Sequence, residues 1–179
     1  MKKVFIVAIV LGMVAVTGIG NASAAGTGTS LKAGTFGFNV GFGDSSLGST
    51  GVVMISGKYF LQSDVALIAG IGLQTSSGDL NADFFGISGG VRKYLRIDEL
   101  APFVEGKFSY VTERISSENI DKDTFDISAG FGAEYFLHRQ FSIEGSVAVG
   151  LGKVDDNALH KDYTYFGSRT VGVSANFYF

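Results

Sequence analysis

The feature that most constrains this chain is a period of two in its apolar residues, repeated in segment after segment. Successive side chains of a strand point to opposite faces, so period two reads as strand where a period of 3.6 would read as helix. Between residues 33 and 43, Gly34, Phe36, Phe38, Val40 and Phe42 alternate with Thr35, Gly37, Asn39 and Gly41. The split recurs with Val53, Ile55 and Tyr59 against Met54, Ser56 and Lys58, and with Leu67, Ala69, Ile71 and Leu73 against Ile68, Gly70 and Gly72. A fourth segment sets Phe85, Ile87 and Val91 against Ser88, Gly90 and Arg92.

The second half repeats the scheme. Val104, Phe108 and Tyr110 oppose Glu105, Lys107 and Ser109, and Phe125 to Tyr135 alternates with Asp126, Ser128, Gly130, Gly132 and Glu134. Ile143, Val147, Val149 and Leu151 oppose Ser142, Glu144, Ser146 and Gly150. The last segment sets Tyr163, Tyr165, Val171, Val173, Phe177 and Phe179 against Thr164, Thr170, Ser174 and Asn176. The expectation is eight strands, and a weak internal repeat of residues 85–91 in 125–131 fits a domain built from hairpins.

Ahead of them, Lys2 and Lys3 precede an apolar run from Val4 to Val16 and then Ala22-Ser23-Ala24, the pattern of a secretory signal peptide over residues 1–24. The run is short for a membrane helix and is broken by Gly12, Thr17 and Gly18. Residues 25–32 read as an N-terminal segment and residues 33–179 as the domain. Acidic residues outnumber basic ones, 17 to 14, before the two leader lysines are removed, which leaves no basic surface for nucleic acid. With no cysteine, disulfide scaffolds and thiolate metal sites are excluded.

Connectors alternate between short (Gln62 to Asp64, Arg96 to Glu99, His138 to Gln140) and longer, more charged ones (Thr75 to Asp83, Glu113 to Asp123, Lys153 to Asp162). An up-and-down meander with short turns at one rim and long loops at the other is the layout of transmembrane barrels. The charges decide which face points outward: Lys58, Arg92, Glu105, Lys107, Asp126, Glu134 and Glu144 share the parity of the glycines and serines. A soluble lipocalin-like barrel would then expose a surface of Gly and Ser with few charges, a poor soluble surface. Placed inside a narrow barrel, the same charges pair with one another. Aromatics on the apolar face form two expected girdles, with Phe36, Tyr59, Tyr135, Phe177 and Phe179 at the short-turn rim and Phe42, Phe85, Tyr110, Phe125 and Tyr163 at the long-loop rim. Each spanning strand needs about 9–11 residues, so a sixteen-stranded porin does not fit and no wide channel is expected. The fold class read from the sequence is all-β: an eight-stranded antiparallel up-and-down transmembrane barrel with short periplasmic turns and longer extracellular loops.

The ending Val171, Val173, Phe177 and Phe179 resembles the assembly signal of bacterial outer-membrane barrels. With the signal peptide and the eight strands, the chain resembles the small OmpA/OmpX-type barrel family. That resemblance implies an outer-membrane location and assembly by the barrel insertion machinery, and it transfers no ligand; beside it, the expectation is a monomer in contact with outer-membrane lipids including lipopolysaccharide, without cofactors or metals. The expected function is a structural or interaction role in the envelope, such as membrane integrity, adhesion or binding of a surface ligand through the loops, with a lipid-modifying enzyme ranked last. A narrow channel gated by Lys107 exchanging among Glu105, Glu134 and Glu144 is the alternative; an ion-pair plug is the simpler reading of the same residues.

Enzyme signals are weak. Gly86-Ile87-Ser88-Gly89-Gly90 has the spacing of a nucleophile elbow but lies in an alternating strand, whereas the elbow needs a strand-to-helix turn. His138 and His160 fall at opposite rims, leaving His160 with Ser168 as a remote lipid-modifying pair. Asp155 and Asp156 alone are too few ligands for calcium. Arg169 shares parity with the apolar face, which reads either as a lipopolysaccharide contact or as a bulge.

Overall fold

The computed structural model describes residues 31–42, 54–76, 82–115, 120–156 and 161–179. Residues 1–30, with the expected signal peptide, lie outside the described residues, as do Asp79, Glu118 and His160. The strands are β1 (Phe36–Phe42), β2 (Met54–Gln62), β3 (Val65–Ser76), β4 (Ala82–Tyr94), β5 (Leu100–Ile115), β6 (Ile120–His138), β7 (Phe141–Asp156) and β8 (Lys161–Tyr178). Each pairs antiparallel with its sequence neighbour, and β1 with β8 closes the barrel through Gly37↔Tyr178 to Phe42↔Val173. Backbone bonds between Phe36 and Phe179 extend that seam to the last residue.

The alternation sorts as the sequence requires. Phe38, Ile55, Leu67, Ile71, Phe85, Phe108, Tyr110, Phe131 and Ile143 are exposed on the outside, while Lys58, Arg92, Glu105, Asp126 and Glu134 are buried inside. An apolar exterior of this extent suits a bilayer, not water. Glycines make the narrow interior possible where two elements approach closely. A Cβ on Gly37 would strike the Tyr178 ring, and one on Gly132 would strike Phe103 and the neighbouring strand.

Two expectations need correction. The strands run into the segments expected as long loops: Thr75↔Asp83, Glu113↔Lys122, Arg114↔Asp121 and Asp155↔Asp162 continue the ladders. Opposite charges facing one another at Glu113↔Lys122 and Arg114↔Asp121 favour that continuation. Secondly, the β7–β8 register shifts between Ser146↔Gly172 and Ala148↔Arg169. Extra residues in one strand reverse its parity. Above the shift, Tyr163 and Tyr165 pair with inward-facing Val154 and Gly152, and the Tyr165 ring fills the space over Gly152. Tyr163 therefore leaves the outer girdle and Phe166, opposite Leu151, takes the outward place. Arg169 belongs to this bulge; its side chain lies outside the described residues.

Candidate functional site: the luminal cluster

Strand parity points residues 58, 92, 105, 134 and 144 into the lumen, and the stagger of the barrel brings them to one level near the short turns. Lys58 Nζ lies 3.3 Å from Glu134 Oε2 and 2.6 Å from Glu144 Oε2. Arg92 is bonded by two nitrogens to Glu105 Oε2, at 3.0 and 2.7 Å, and by two to Glu144, at 2.5 and 3.1 Å. Its guanidinium also lies over the Phe103 ring, 3.6 Å from the centroid. Lys107, one inward position higher, bridges to Glu105 Oε1 at 3.0 Å. Of the carboxylates expected to compete for Lys107, the structure pairs it with Glu105.

Glu134 is fully buried and is the acceptor at the centre. Besides Lys58 it accepts from the hydroxyls of Tyr94 (2.6 Å), Tyr178 and Ser142. Asn39 on β1 joins through Glu144, Ser174 and Asn176. In this layer Lys58, Arg92 and Lys107 oppose Glu105, Glu134 and Glu144, so the charges balance. Satisfaction of every charge matters here, because a buried ion left without its partner costs several kcal/mol, roughly 3–5. Asp126, expected in the same set, stands apart higher in the lumen, buried with the Tyr165 hydroxyl 3.3 Å away.

The layer beneath is not among the positions expected from the sequence. Phe60, Tyr94, Phe103, Phe136 and Tyr178 turn inward and pack, Phe60 stacked on Tyr94 and the others tilted or edge-on, with ring centroids 5.7–6.0 Å apart, as an aromatic floor. The signal was present, since each shares the parity of a luminal residue two positions away. Above the ion pairs lies a cavity of about 80 Å³ lined by Asn39, Ser56, Ser88, Ser109, Ser128 and Lys107 among others, polar enough to hold several waters.

The other expected positions sort as follows. Phe36, Tyr59, Tyr135, Phe177 and Phe179 are exposed at the short-turn rim, and Phe85, Tyr110 and Phe125 toward the other. The side chains of Phe42 and Val171 lie outside the described residues, while Val173 faces outward. Ser168 is exposed on the outward face of β8, and its expected partner His160 is not among the described residues. At the outer rim Lys153 bonds Asp155 and Asp162. Among the described residues no group of His, Cys, Asp and Glu is arranged to hold a metal.

A family model described as the outer membrane protein beta-barrel domain matches residues 6–177. Among solved structures, the N-terminal β-barrel domain of Pseudomonas aeruginosa OprF shares 13% identity over 82% of this chain and 98% of its own, with a TM-score of 0.53. Pseudomonas aeruginosa OprG aligns at 11% identity over 83% and 97%, TM-score 0.52. Neisserial surface protein A aligns at 10% over 81% and 94%, TM-score 0.50. At these identities the likeness is one of fold. No curated protein sequence matches.

Proposed function

The chain belongs to the outer membrane protein beta-barrel family, and from that premise we propose that it is a closed structural barrel of the outer membrane that meets its partners through its surface and does not conduct through its lumen. The observation that carries this is the reach of Lys58, whose ammonium ties β2 to Glu134 on β6, Glu144 on β7 and Tyr178 on β8 across the interior. Two opposite walls are thereby cross-linked by a charge with its partners already in place. The barrel works as a monomer in contact with outer-membrane lipids, lipopolysaccharide among them. It is inserted by the barrel assembly machinery, and any surface ligand is met at the hairpin ends.

A second reading, a narrow gated pore, draws on Lys107, which is 24% exposed and borders the cavity above the paired layer. The two part in a planar bilayer. Refolded protein, its folding verified by a heat-modifiable gel shift, should be silent, and Lys107→Ala should remain silent because the Lys58 and Arg92 pairs lie below it. Discrete openings in the unmodified protein that Lys107→Ala or Glu134→Ala alters would replace the closed barrel with the pore.

A further inference from the structure

Beneath the ion pairs the chain folds back on itself before β1 begins. Gly34, at φ 88°, sits in the left-handed region that glycine enters freely. Its turn is held by Thr35 N–H to Lys32 O (3.0 Å), Gly34 N–H to Phe60 O (2.8 Å) and Phe60 N–H to Thr35 O (3.0 Å). The result is that Leu31, 6% exposed, joins one apolar cluster with Phe60, Tyr94, Phe136 and Tyr178, and Ile97 from the β4–β5 turn joins it as well. Leu31 and Ile97 belong to no strand, yet both are buried at the short-turn mouth of the barrel.

We propose that the N-terminal turn carrying Leu31, with Ile97, is an apolar stopper closing the periplasmic mouth, a second barrier in series with the charged layer. The two barriers share parts. The rings of Tyr94 and Tyr178 belong to the aromatic floor, while their hydroxyls are donated to Glu134 in the layer above. Water and ions arriving from the periplasm meet a desolvating apolar plug first and the paired charges second, so opening either barrier alone leaves the other in place. The proposal rests on the closed-barrel reading and adds where, and in what order, the lumen is closed.

The absence of cysteine makes the test clean. A single Ser109→Cys, lining the cavity above the charged layer, reports arrival of a small thiol reagent presented at the periplasmic face of lipid vesicles. Arg139→Cys in the β6–β7 turn serves as the control that reagent reaches that face. The reporter is combined with Leu31→Ser, with Glu134→Gln, and with both, folding being verified by the heat-modifiable shift. Each single variant should label within about twofold of the reporter alone, and the pair at least tenfold faster. If either single variant labels as fast as the pair, or the pair is no faster than the reporter alone, the serial arrangement is wrong. Fast labelling of the reporter alone from the periplasmic face would instead overturn the closed-barrel reading itself. Should the pair fail to fold, Ile97→Ser replaces Leu31→Ser with the same expected outcomes.

Discussion

Removing the Glu134 side chain is the sharpest perturbation of the luminal layer. Glu134→Ala takes one of two carboxylates from Lys58 and the shared acceptor from Tyr94, Tyr178 and Ser142. It leaves Lys58, Arg92 and Lys107 facing only Glu105 and Glu144. Breaking a buried pair costs about 3–5 kcal/mol, and each orphaned hydroxyl adds about 1 kcal/mol, offset in part by water entering the vacated space. A net loss of about 3–5 kcal/mol is expected, or two to three and a half powers of ten in the unfolding equilibrium at about 1.4 kcal/mol per tenfold. The chain has no tryptophan, so urea unfolding from lipid vesicles is followed by circular dichroism and the gel shift. Adding Lys58→Met restores neutrality, with Arg92 and Lys107 against Glu105 and Glu144. The double variant should therefore be more stable than the sum of the singles by about 2 kcal/mol. Glu134→Gln, which keeps an acceptor but not the charge, should fall between wild type and Glu134→Ala. A loss under about 1 kcal/mol for Glu134→Ala, or strict additivity in the double variant, would refute the reasoning.

Three further outcomes are expected. Gly132→Ala drives a methyl into Phe103 and the neighbouring backbone and should cost about 1–3 kcal/mol, whereas Gly106→Ala, with nothing within 4 Å, should change stability by less than about 0.5 kcal/mol; paired urea titrations compare them. Phe131→Arg, on the outer wall where Phe131 is 65% exposed, should cost about 2–4 kcal/mol in lipid vesicles, and a neutral result would put that wall outside the bilayer. Deleting Phe179, whose backbone bonds to Phe36 complete the β1–β8 seam, should leave export intact while folded barrel falls in outer-membrane fractions.

What could be read from the sequence follows from what is local. Parity is fixed by the backbone, so the inward placing of Lys58, Arg92 and Glu134 was visible residue by residue. Their partners were not, because Lys58 meets Glu144 only once the barrel closes and its stagger is set. Aromatics near a strand end suggest an outer girdle, yet Arg92 and Asn176, two positions away, share the parity of Tyr94 and Tyr178, and both tyrosines are buried inside. Tyr163 departs from its strand's alternation for a different reason: the shift between Ser146 and Ala148 is a property of two strands, and neither strand's pattern announces it. The charges of Glu113, Arg114, Asp121 and Lys122 suggested a solvated loop, but facing one another they extend a ladder.

The concentration of cross-lumen bonds near the short turns divides the molecule into a fixed foot and an exchangeable crown. Lys58, Arg92 and Glu134 lock the foot without help from the hairpin ends. Sequence joining those ends is therefore free to drift, lengthen or be replaced while the scaffold stays assembled. A lineage can present new surfaces to its surroundings without redesigning the part that folds, and an engineer grafting a peptide between Ile115 and Ile120 draws on the same independence.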